Sequence, residues 1–275
     1  MSEPRDLVYA IKKHIPFPLW RRMTTPYWWW YNRASHQLAA FISTRRRKSV
    51  ARIESFRNKH QGERCFILGN GPSLKHTDLS LLRNEITFGM NRIYLLFPQI
   101  GFPTSYYLAI NTLVMEQCAK EIMALEMPRF VSWRGRKWLR RDSDIIFLDT
   151  DYTPPPSFSA DVSGRVFEGS TVSYVALQLA YYMGFEEVIL IGVDHSFTTK
   201  GDPNVTIVSN GEDPNHFSAE YFGKGFRWQL PDLEASERAY RMAREAFEVS
   251  NRRILDATIG GKLDVFPKVN YTDLF

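Results

Sequence analysis

The chain has 275 residues, 44% of them hydrophobic and 24% charged, with a net charge of +5. That size and balance describe a globular protein with one substantial domain plus an extension. No run of about 18 apolar residues is present, which excludes a membrane-spanning helix, and two cysteines exclude a disulfide framework and point to a reducing cytosol.

The first element in chain order is a basic leader. Residues 1–64 carry 14 Lys/Arg against 4 Asp/Glu, whereas the rest of the chain carries 21 against 26. The positive charge therefore sits at the front, and the mildly acidic body offers no continuing basic track for nucleic acid. The leader also lacks an apolar signal core, so no secretory signal is expected. It mixes Trp20, Trp28, Trp29, Trp30 and Tyr31 with Arg21, Arg22, Arg45, Arg46, Arg47 and Lys48. Amphipathic rings suit a headgroup boundary, and each clustered cation near an anionic leaflet is worth about 1 kcal/mol. Residues 1–60 are thus expected to form a helical extension that either touches a membrane peripherally or caps the main core. The domain proper is expected at 61–275, in the cytoplasm or at the inner face of the membrane.

From Arg64 onward short apolar runs alternate with helical patterns, the signature of an α/β fold with a mostly parallel sheet and helices on both faces. Strands are expected at Arg64–Leu68, Ile86–Met90, Ser105–Ile110, Arg129–Val131, Ile145–Leu148, Glu187–Ile191 and Arg253–Leu255. Helices are expected at Leu113–Leu125, Ser170–Met183 and Asp232–Ser250, the last with Leu233, Tyr240, Ala243 and Phe247 on one face. Pro154-Pro155-Pro156 predicts a stiff loop, and the polar Lys200–Asn215 a lid or long loop.

The strand ends carry the chemistry. The first runs into Gly69-Asn70-Gly71-Pro72-Ser73, the second ends at Asn91 and the third at Asn111. Three successive strands thus deliver an Asn to the carboxyl edge, where open α/β sheets bind ligands. A carboxamide has one acceptor and two donors without charge, which suits sugar hydroxyls, base edges and phosphate oxygens. Gly69 and Gly71 allow a tight turn. Pro72 fits a first helical turn that Ser73 can cap, leaving N–H groups free for an anion. Gly, Asn and Ser are also ordinary turn residues; their repetition at corresponding positions favours a nucleotide site. Neither the P-loop nor the dinucleotide glycine pattern is present.

A second turn, Gly169-Ser170-Thr171-Val172-Ser173, opens a buried helix whose N–H groups and hydroxyls can hold a phosphate. Asp194-His195 follows the next strand, and His216 lies just past the polar loop. A histidine near neutrality can take a proton from a hydroxyl nucleophile, which makes His216 the candidate general base. Two D-x-D patterns, Asp142–Asp144 and Asp149–Asp151, are of the kind that holds Mg²⁺ or Mn²⁺ on diphosphate sugars. Both fall in what read as polar loops, however, and a chain this rich in aspartate is expected to show about one such match by chance. No Cys/His metal spacing is present.

Four stretches, "ILGNGPSL", "FGMN", "AINTLVMEQ" and "STVSYVALQLAYYMGFEEVILIGVD", together resemble the 6-hydroxymethylpterin diphosphokinase MptE-like family. They also resemble the related bacterial lipo-oligosaccharide sialyltransferases, and the likeness covers roughly residues 62–275. It implies a Rossmann-like core. The sialyltransferase side implies contacts to a CMP-activated acidic sugar from Gly69, Asn70, Ser73, Asn91 and Asn111. It places Thr171 and Ser173 near the nucleotide phosphate, although a Ser-Gly pair of that family reads Val172-Ser173 here, and it matches His216 to the base. The implied reaction is glycosyl transfer to a glycan or lipid-linked acceptor in surface polysaccharide or glycolipid synthesis. It needs no tightly bound cofactor and no metal. The pterin side implies instead a Mg²⁺-dependent transfer of diphosphate from ATP, for which only Asp194 stands out as an acidic strand-end residue. A non-catalytic nucleotide-binding module is the third reading.

Overall fold

A computed structural model of the chain describes residues 42–140, 144–152 and 157–275. Most of the aromatic leader, Asp142 of the first D-x-D and Pro154-Pro155-Pro156 lie outside the described residues. The chain divides into two units, the second of which holds the described residues from 48 onward. Among the described residues no helix is long and apolar enough to cross a membrane.

In the second unit, eight parallel strands form one sheet: β1 (Arg64–Leu68), β2 (Thr87–Met90), β3 (Tyr106–Ala109), β4 (Arg129–Ser132), β5 (Ile145–Asp151), β6 (Arg165–Phe167), β7 (Glu187–Ile191) and β10 (Arg253–Asp256). Their spatial order is β10-β7-β1-β2-β3-β4-β5-β6. The chain walks outward from β1 to β6, then jumps back to lay β7 against the free side of β1. That reversal is the switch point at which such sheets open a crevice beyond their carboxyl ends. This is the Rossmann-like α/β fold expected. Buried on both faces, the strands read as near-continuous apolar runs.

Alternate residues of β1 serve opposite layers. Cys65 and Ile67 face the core shared with α5 (Val172–Met183), while Phe66 packs against Tyr271 and Phe275 on the other side. α5 is apolar nearly all round because the sheet covers one side and α6 (Leu233–Val249) packs on it as well. α6 buries Ser236, Ala239, Tyr240, Ala243 and Phe247 at helical spacing. Its solvent side is laced by the i,i+4 pairs Glu234–Arg238, Glu237–Arg241 and Arg244–Glu248. Asp232 caps it by accepting from the Ala235 N–H at 2.9 Å. The end of α1 (Thr44–Glu54) is tied to the sheet by the Ser49 hydroxyl, which accepts from the Phe147 N–H. Both cysteines are buried free thiols.

Several expectations are corrected. The helix expected over Leu113–Leu125 is two, α3 (Thr112–Gln117) and α4 (Ala119–Met123), because the chain leaves helical geometry at Cys118. A short α2 (Phe97–Ile100) precedes them, closed by Gly101 in the left-handed conformation. Asp149 and Asp151 end β5 instead of lying in a loop, with Asp151 paired to Arg165 of the neighbouring strand at 3.3 Å. The polar loop carries β8 (Thr206–Val208), which pairs antiparallel with β9 (Arg227–Gln229) in a small ribbon of its own.

Candidate functional site

The turn after β1 is shaped by β7. The Gly69 N–H donates to the Ile191 carbonyl and the Gly71 N–H to the Gly192 carbonyl, at 2.8 and 2.9 Å. A Cβ on Gly69 would stand 2.1 Å from the Gly192 oxygen, and one on Gly71 would stand 1.8 Å from Asp194 Oδ2. Gly69 is therefore required by the close approach of the two strand ends, and Gly71 leaves room for the Asp194 carboxylate. Pro72–His76 forms only a 3₁₀ turn, and Ser73 does not cap it. Instead the Ser73 N–H and hydroxyl both donate to the Asp194 carboxylate, at 3.1 and 2.7 Å. The N–H group expected to be free for an anion thus already has one, supplied by the chain itself. Partial burial pushes the Asp194 carboxyl up from its ordinary range, and the Ser73 hydrogen bonds only partly offset that desolvation.

Asn70 and Asn91 remain open. Asn70 accepts the Phe217 N–H on its backbone carbonyl, 2.9 Å. Asn91 sits in the left-handed region at φ 52°, which an Asn tolerates, and its carbonyl accepts the Tyr107 hydroxyl. The Oδ1 atoms of both side chains are buried and have no hydrogen-bond partner among the described residues. Buried orphan acceptors are uncommon and call for donors from elsewhere. Asn111 is different: its Oδ1 caps α3 by accepting the Leu113 N–H at 2.8 Å. Its amide N–H₂ is the part left to offer.

His216 is drawn into this group by its neighbours. Phe217 bonds Asn70, while Tyr221, stacked flat on the His216 ring at 4.0 Å, receives the backbone N–H of Arg92 beside Asn91. The Arg92 guanidinium lies over Phe226 and donates to the carbonyls of Glu220 and Tyr221, pinning the 216–226 segment to the end of β2. His216 is 9% exposed. Its Nδ1 meets both carboxylate oxygens of Asp213 at 2.9 and 2.8 Å, and its Nε2 has no partner among the described residues. The structure thus brings Asn70, Ser73, Asn91, Asp194 and His216 into one connected cluster at the carboxyl edge.

The second turn is connected elsewhere. Gly169 and Ser170 both take positive φ, 53° and 63°, and Ser170 is exposed. Thr171 caps α5 by accepting the Ser173 N–H, and its hydroxyl lies 3.4 Å from that of Tyr240 on α6. No hydrogen bond among the described residues links Ser170–Ser173 to the His216 cluster. His195 engages Glu237 at 3.2 Å. Asp213, Arg92, Tyr221 and Arg134 join the site beyond the residues that the strand-end pattern marks. Arg134 leaves the end of β4, donates to the Ile110 carbonyl beside Asn111, and pairs with Glu168 just before the second turn. The spacing Asp213-x-x-His216 was a legible signal for the first; the others are set by tertiary contact.

Among the described residues no group of three or more His, Cys, Asp or Glu is placed to hold a metal ion. A cavity of about 470 Å³ opens at the opposite, amino-terminal edge, lined by Arg64, Glu187, Arg252 and Arg253 among others. Two of its arginines are held in ion pairs, Arg64 with Glu85 and Arg253 with Glu187. The orphan acceptors and the unpaired imidazole nitrogen lie at the carboxyl edge, which makes that edge the candidate site.

A doubly wound sheet with polar side chains gathered at its switch point is a ligand-binding architecture. No protein-family profile matches the chain, and no curated protein matches it. Among solved structures the chain is similar to the MAf glycosyltransferase from Magnetospirillum magneticum AMB-1, with a TM-score of 0.50 at 14% identity. The likeness covers 84% of this chain but only 39% of that one, and it concerns the fold.

Proposed function

We propose that this chain is a glycosyltransferase that uses a nucleotide sugar, with a CMP-activated acidic sugar as donor and a glycan or lipid-linked acceptor. The observation that carries the reading is the cluster itself. Among the described residues, two buried carboxamide acceptors lack donors, beside a histidine whose Nδ1 is engaged and whose Nε2 is not. Asn70 and Asn91 would receive hydroxyl or amino donors of the nucleotide and sugar, with Asn111 offering its amide. The helix start at Thr171–Ser173 would face the phosphate. His216 would take the acceptor's hydroxyl proton on Nε2 as the oxygen attacks the sugar's anomeric carbon and the bond to phosphate breaks. The fold shared with a protein named a glycosyltransferase supports the reaction class. The resemblance to sialyltransferases supports the CMP-sugar, the role in surface polysaccharide or glycolipid synthesis, and a chemistry in which no metal takes part. Peripheral membrane contact through residues 1–60 would bring a lipid-linked acceptor within reach.

A thermal-shift series with CMP, UDP, GDP and ATP, each with EDTA and with Mg²⁺, tests this. A ligand at 100 times its Kd stabilises the fold by about 2.7 kcal/mol. Stabilisation by CMP that survives EDTA is the expected result. Stabilisation by ATP alone, and only with Mg²⁺, would overturn the proposal in favour of diphosphate transfer.

A further inference from the structure

We infer that Asp213 is the residue that makes His216 a base, by fixing which ring nitrogen carries the proton; this rests on the transferase reading above. Asp213 is 8% exposed and lies inside the segment that reads in sequence as a polar loop. One of its oxygens accepts the Asn215 N–H at 3.0 Å and the other the Phe222 N–H at 3.2 Å, and both face His216 Nδ1. Both backbone groups aimed at this carboxyl among the described residues are donors, as suits a carboxylate that can only accept. The proton shared with His216 therefore sits on Nδ1, and the lone pair is left on Nε2. Rotation of the ring would exchange the two nitrogens. The flat stack on Tyr221, with 5° between ring planes, and the edge contact with Phe222 at 4.8 Å hold it in place.

Residues Asp213–Phe222 are in effect one preassembled unit: a carboxylate oriented by two backbone N–H groups, an imidazole oriented by the carboxylate, and an aromatic wall. In the reaction, the acceptor O–H bond breaks with its proton passing to Nε2. The freed oxygen forms the new glycosidic bond, and the electron pair of the broken sugar–phosphate bond leaves with the nucleotide. Asp213 takes no proton at any step. It acts through His216, as a positioning residue that also steadies the imidazolium formed.

The test is a histidine tautomer measurement on the ¹⁵N-labelled full chain by long-range ¹H–¹⁵N correlation, with the His216 signals assigned by their loss in His216→Gln. The wild type should show neutral His216 as the Nδ1–H form; a neutral His216 protonated on Nε2 would overturn the inference without any variant. Asp213→Asn keeps one acceptor oxygen and turns the other into an N–H₂ donor, so the Nε2–H form should become populated. Asp213→Ala, which offers neither, should give a mixture of both forms. Retention of a pure Nδ1–H form in Asp213→Ala would equally overturn it. Glycosyl transfer by Asp213→Asn should fall by about 10²–10⁴-fold, with nucleotide-induced stabilisation unchanged. Failure of the nucleotide series sinks the transferase reading but leaves the tautomer result standing. Nucleotide binding with the wrong wild-type tautomer sinks Asp213 alone.

Discussion

Gly69 and Gly71 are both closed to a side chain, but by different obstacles. A methyl at 69 meets the Gly192 carbonyl, which is backbone inside a hydrogen-bonded strand end. A methyl at 71 meets chiefly the Asp194 carboxylate, which can swing away from Ser73, and only marginally the Gly192 oxygen at 2.9 Å. Overpacking of this kind costs about 1–3 kcal/mol, occasionally more. Gly69→Ala should fall at or above the upper end and Gly71→Ala below it. In an Asp194→Ala background, Gly71→Ala should lose part of its penalty, keeping what the Gly192 oxygen imposes, whereas Gly69→Ala should keep its own in full. Urea unfolding of the set checks this, and equal penalties in both backgrounds would show that Asp194 is not the obstacle. Asp194 also shapes the response to pH. Its folded-state carboxyl is raised from the ordinary 3.8, so the folded state binds the extra proton, and the stability this residue allows declines as pH rises through that raised range. At this scale the sequence displays candidate atoms without their partners. The glycines read equally as room for a ligand, and only Asp194, 121 residues from Ser73, shows what fills the space. Asn70 and Asn91 look alike as strand-end amides and prove alike in their orphan acceptors. Asn111 looks the same and is half spent on a helix cap.

The β8–β9 ribbon is fastened to the domain by α3. Gln117 donates to the Arg227 carbonyl and accepts the Arg227 N–H, both at 2.9 Å, and Glu116 pairs with the Arg227 guanidinium. The ribbon pairs over only three residues a side, and a two-stranded ribbon is marginal by itself. Gln117→Ala should therefore raise local opening by about 1 kcal/mol per lost bond. Proteolysis between residues 200 and 230 should quicken severalfold while the main unfolding midpoint barely moves; unchanged cleavage would place the ribbon's support elsewhere. Elements of this size leave faint traces in a sequence. Thr206–Val208 and Arg227–Gln229 bury only one residue well, Trp228, so no period-two pattern emerges, and Arg165–Phe167 fully buries Val166 alone. The long apolar strands, by contrast, announce themselves, and Arg64–Leu68 and Glu187–Ile191 have the bounds that their composition suggests. The break at Cys118 has no Gly or Pro to mark it, so two short helices read as one.

Across the whole molecule, the sheet order predicts a gradient of protection. β1, β2 and β7 lie inside the sheet, while β10 and β6 lie at its edges. Native-state hydrogen exchange should open β1 and β7 only with global unfolding and β6 and the ribbon well before it. Equal protection of β6 and β1 would mean that the sheet does not end where it appears to. The alternation of strands and helices makes the fold class plain from the sequence, but the order of strands rests on the return of β7 to β1, which no local pattern encodes.

That return also sets when the site can exist at all. On the ribosome, β1 emerges with β2 as its natural companion, yet its other edge stays bare until the chain has grown past Asp194. At about 5–20 residues per second, the interval between Ser73 and Asp194, 121 residues, is roughly 6–25 s of synthesis. Throughout it, the first turn has neither the carboxylate that holds Ser73 nor the carbonyls that receive Gly69 and Gly71. His216 and its aspartate come later still. Nascent chains of this protein are therefore unable to form the crevice, and they carry an apolar strand edge that invites pairing with any other unfinished chain nearby.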